Sequence, residues 1–102
     1  MMVDPSPNLK VLNEALPGND LIAAGLADLQ AGRETIEALL VAVGAPRLRQ
    51  LGFELPQDLP PEPEHRLYAL LAESDSDSAH SRYNALIRKL VSFERAAACV
   101  NR

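Results

Sequence analysis

The strongest periodic pattern lies between Ser81 and Val100, where Leu86, Leu90, Phe93, Ala97 and Val100 recur at steps of four and three. Tyr83, Ile87 and Val91 form a second row beside that stripe. Such spacing predicts an amphipathic helix with a broad apolar face. A helix with two apolar rows is either central to its domain or interfacial, because each helix of a small bundle normally buries one face. We read this segment as the central helix, on which the others pack.

Shorter patterns precede it. Leu9, Leu12 and Leu16 give a stripe to a short helix from Asn8 to Leu16, ended by Pro17-Gly18. Ile22, Leu26 and Leu29 predict a helix over Leu21–Ala31, capped by Asn19 or Asp20. Gly32 reads as its stop, although the stripe continues beyond the glycine. Ile36, Leu39, Leu40 and Val43 follow the i, i+3, i+4, i+7 rule and predict a helix over Arg33–Val43, with Glu34 and Glu37 near its positive end. Gly44 stops it. Pro46 then suits the first turn of a short helix, Pro46–Leu51, which Gly52 ends.

From Phe53 to Pro63 the chain reads as an extended linker, since four prolines fall between Pro56 and Pro63. Leu55 and Leu59 are placed to pin it to the core. A helix from Pro63 to Glu73 turns Leu67, Leu70 and Leu71 inward, with Tyr68 at its edge. Ser74–Ser81 is a polar loop in which Asp77 or Ser78 caps the last helix. No stretch reads as a strand. The expectation is an all-α fold, a small bundle of about five helices with a proline-rich crossover before the fourth and a long C-terminal helix. Residues 1–7 read as a tail and 8–102 as a single domain.

Composition supports this picture. The 102 residues are 47% hydrophobic but only 4% aromatic. Leu and Ala dominate, and both favour helix. No apolar run is long enough for a membrane span, and the N-terminus lacks the charge and apolar pattern of a signal peptide. The single Cys99 cannot form an intramolecular disulfide; it fits a reducing, bacterial-type cytosol and reads as a small residue in or near the core. A net charge of −4 argues against general polyanion binding.

Candidate chemistry is sparse. His65 and His80 lie on different helices and, with Cys99, show none of the short spacings of a zinc site. Asp75 and Asp77 resemble the start of a calcium loop, but the glycine and the distal glutamate are missing. There is no nucleophile elbow, phosphate-binding glycine loop or paired-carboxylate motif. We therefore expect no enzyme, no cofactor and no metal. The leading expectation is a non-enzymatic interaction or regulatory module that binds a protein partner or a second copy of itself, a homodimer. Tyr83, Ile87 and Val91 supply the apolar contact, and Arg88 and Arg95 the charge. The alternative is a DNA-binding regulator with a helix-turn-helix-like unit over residues 36–53, using Arg47 and Arg49. A plain helical corner with ordinary solvated arginines explains the same residues.

Overall fold

The computed structural model describes residues 16–100. The tail expected at 1–7 and the helix expected over Asn8–Leu16 lie outside them, except for half-buried Leu16. Five helices follow: α1 (Asn19–Gln30), α2 (Ile36–Val43), α3 (Ala45–Gln50), α4 (Pro63–Ser74) and α5 (Ala79–Val100). No strand occurs among the described residues, so the chain is a small all-α bundle with a long C-terminal helix.

Backbone caps, more than side-chain periodicity, set the helix ends. Asn19 is the first residue of α1, not its cap. Gly18 occupies the cap position with φ +76°, and a Cβ there would fall 3.2 Å from the Lys89 carbonyl oxygen. Glycine alone accommodates both the left-handed backbone and that approach to α5. At the other end of α1, Gly32 has φ +77°, its N–H donates to Leu29 O at 3.1 Å, and the Arg33 N–H donates to Asp28 O at 2.8 Å. This Schellman pair ends the helix at the expected glycine.

The second helix starts three residues later than its sequence pattern suggests. Arg33 and Glu34 belong to the turn, and Thr35 caps α2: its Oγ1 accepts from Ala38 N at 3.1 Å and donates to Asp28 Oδ2 at 2.7 Å. Arg33 donates to the other Asp28 oxygen at 2.8 Å. One carboxylate thus ties the end of α1 to the start of α2. These bonds hold the Asp28 carboxyl below its ordinary pKa, the Thr35 hydroxyl more than the Arg33 guanidinium.

The centre of the fold is α2 and not α5, which corrects the reading from periodicity. Ala38, Leu39, Leu40 and Val41 are fully buried. α2 is covered by α1 and α4, crossed by α5, and runs directly into α3. At about 1.5–3 kcal/mol per fully buried large apolar side chain, its eight residues are among the most stabilising in the chain. α5 buries Ala79, Leu90, Phe93 and Ala97. The linker contributes more to the core than expected: Phe53 is buried and meets the Phe93 ring at 5.7 Å between centroids. A second Schellman turn places it, with Gly52 at φ +101° and Phe53 N–H donating to Leu48 O at 3.0 Å. Leu55 and Leu59 pack on the core edge, as their spacing suggests.

Candidate functional site

Among the described residues no polar or charged residue is buried as a whole, and Asn19 Oδ1 is the one side-chain oxygen buried without a hydrogen-bond partner. The residues expected to meet a partner form one feature on α5. Tyr83 and Ile87 are half-buried at the edge of the core, and Val91, one turn further on, is 36% exposed. Tyr83 also meets Tyr68 of α4, with ring centroids 5.8 Å apart. Tyr68 is 39% exposed, and it and Val91 are the exposed large hydrophobics among the described residues. They stand at the two ends of a single row, Tyr68–Tyr83–Ile87–Val91. Tyr68 is a member of it that the pattern within α5 alone does not reveal. Burial, and then the nearby charge of Glu64, pushes the Tyr83 hydroxyl above its ordinary pKa.

Arg88 and Arg95 are exposed, three residues before and four residues after Val91. Arg47 and Arg49 have different surroundings. Arg49 Nη2 donates to the Pro56 carbonyl at 2.7 Å and fastens the linker to α3. Arg47 Nη1 donates to Gln50 Oε1 at 3.3 Å. α3 starts directly after Gly44 and has only six residues. Gly44 lies against α5, where a Cβ would fall 2.8 Å from Leu90 Cδ1 and 2.9 Å from Glu94 Oε2. Burial raises the Glu94 pKa, and the charge of nearby Arg47 opposes the shift. The structure therefore brings Arg47, but not Arg49, to the α5 residues.

No family model, curated protein or solved structure matches this chain.

Other features of the surface are structural or sparse. Arg66 of α4 makes a bidentate pair with Glu34 in the α1–α2 turn, which holds the Glu34 carboxyl below its ordinary pKa. A shallow groove beside this pair includes Leu39, His65, Leu70 and Glu73. His80 Nε2 lies 3.2 Å from Asn84 Nδ2 within α5. No group of three His, Cys, Asp or Glu is placed to hold a metal among the described residues. Cys99 is exposed, contrary to its reading as a core residue, because it lies opposite the buried stripe of α5. The Pro60–Pro63 segment does not form a continuous polyproline helix, since Glu62 adopts φ +48° and ψ +57°. That turn redirects the chain into α4. No described helix is long and apolar enough to cross a membrane.

Proposed function

We propose that this protein is a non-enzymatic interaction module that docks a protein partner, or a second copy of itself, along the outer face of α5. The observation that carries this reading is the Tyr68–Tyr83–Ile87–Val91 row, with the exposed large hydrophobics at both its ends. An ordered apolar strip rimmed by arginines has the composition of an interface centre, where aromatic residues and Arg are enriched. The Tyr83–Tyr68 contact anchors one end of the strip to a second helix, so the surface is pre-organised before a partner arrives.

Val91→Glu tests the reading. Val91 is exposed and its replacement empties no core space, so stability changes by only about 0.5 kcal/mol. The expected result is a variant with wild-type circular dichroism and melting temperature that no longer retains a partner bound by the wild-type chain, or no longer self-associates in light scattering. A folded Val91→Glu variant that keeps every such association refutes the reading.

A further inference from the structure

Among the described residues, the basic side chains divide into two groups. Arg33 is bonded to Asp28, Arg66 to Glu34, Arg49 to Pro56 O, Arg47 to Gln50 and Arg82 to Ser74. Arg88, Lys89 and Arg95 have no hydrogen-bond or ion-pair partner among those residues. All three lie on α5, whose one acidic residue, Glu94, is half-buried beside Gly44. The chain as a whole carries −4. Lys89 lies on the far side of α5, against the Leu16–Leu21 segment, so the positive charge without an internal partner beside the apolar row is Arg88 and Arg95, in an otherwise acidic protein.

The register of these charges is specific. With Ile87 at d and Val91 at a of a heptad, Arg88 and Arg95 both fall at e; the next d position, Glu94, packs against Gly44 within the chain, so the apolar seam is Ile87 and Val91. Charges at e positions flank the seam and select the partner. The two arginines are seven residues apart, about 10 Å along the helix axis.

We infer that the occupant of this face is an acidic amphipathic helix of another protein, with apolar residues at i and i+4 and a carboxylate pair seven residues apart. The inference rests on the docking role proposed for α5. A second copy of this chain fits less well. Antiparallel pairing of two α5 helices about Val91 sets arginine against arginine, and like charges repel at that range. Parallel pairing turns the e-position arginines toward Leu90 and Ala97 of the other copy, which are buried in their own core.

The test is to select binders to the full chain from a displayed library of helical peptides, randomised at outer positions with Lys, Arg, Glu, Asp and Gln. The expected winners carry an excess of acids, two of them seven residues apart beside an apolar i, i+4 pair. Arg88→Glu and Arg95→Glu should each weaken a winning peptide about fivefold, the scale of an exposed ion pair. A winner with its acids replaced by Lys should then prefer the doubly substituted chain. Winners without excess acid, an empty selection, or indifference to both Arg substitutions overturn the acidic partner. If such winners nevertheless fail on Val91→Glu, the docking face stands and only the charge assignment falls. If acidic winners bind equally to Val91→Glu, the apolar row is not the contact and the docking role falls. A salt-independent dimer dissolved by Val91→Glu, or duplex DNA retained through Arg88 and Arg95 when no peptide is, also overturns the inference.

Discussion

Gly25→Ala is the substitution whose sign separates helix propensity from packing. Inside an isolated helix it stabilises by about 1 kcal/mol. Here Gly25 is buried on the side of α1 that faces α2. A Cβ at this position falls 2.9 Å from the Glu37 carbonyl carbon, and the Glu37 oxygen and Val41 Cγ2 lie closer still. Neither obstacle is the free end of a flexible chain. One is the backbone of the central helix, and the other is a methyl of fully buried Val41. Relief requires α1 to move outward, which loosens the packing of Ile22, Leu26 and Leu29. Overpacking costs about 1–3 kcal/mol, and a whole-helix shift belongs at the upper end. Subtracting the propensity gain leaves a net loss of about 1–2 kcal/mol. At about 4–8 °C per kcal/mol for a domain near this size, Tm falls by about 5–15 °C. Thermal unfolding followed by far-UV circular dichroism measures this. The reverse change on the exposed side of the same helix, Ala27→Gly, is the control and should lose about 1 kcal/mol through propensity alone. An unchanged or raised Tm for Gly25→Ala refutes the close-approach argument.

Two further predictions concern the core and the corner. Leu39→Ala removes a fully buried side chain from the central helix and should cost about 2–5 kcal/mol in denaturant unfolding; a loss below about 1 kcal/mol is incompatible with the burial seen. Glu94 has its folded-state pKa raised by burial, so its contribution is fully present below the unfolded pKa of about 4.3 and is lost as pH rises through the folded value. Glu94→Gln should therefore raise Tm relative to wild type at pH about 7 and lose that advantage at pH about 4, where wild-type Glu94 is largely protonated. An advantage that stays constant across that range, or is larger at the acid end, refutes this account.

Helix count and type were legible because leucines at helical spacing need only local geometry to be read. The ends were less legible, because backbone conformation decides them. The register of Ile36 to Val43 extends back to Arg33, yet the Schellman bond from Arg33 to Asp28 takes that residue out of the helix. Thr35 gave the readable signal, a hydroxyl residue directly before the apolar run, three residues from the N–H that it caps. The centre of the fold was misread for a physical reason. Amphipathic contrast marks a helix with one face in water, whereas IEALLVAV is apolar on nearly every side because it is enclosed. The role of Gly25 was not legible, because only the packed structure shows that Glu37 and Val41 lie against it. Which arginine of α3 meets the linker was not legible, since Arg47 and Arg49 leave a short helix in different directions and only the path of residues 53–56 decides between them.

The same facts explain why an apolar row is left over on α5. With α2 enclosed, the outer helices need to cover only eight residues, about 12 Å of helix. α4, with twelve residues, spans about 18 Å, whereas α5, with twenty-two, spans about 33 Å. The excess length of α5 continues past the Tyr68–Tyr83 contact to the Gly44 corner, where Leu90 and Phe93 are buried on its inner side. The core there is satisfied by Leu90, Phe93 and Ala97, so Val91 has no internal partner to gain. Folding alone places no demand on an apolar residue at position 91, nor on unpaired arginines at 88 and 95. A polar residue at 91 would leave the core intact, so Val91→Glu separates the proposed docking role of this face from any role in folding.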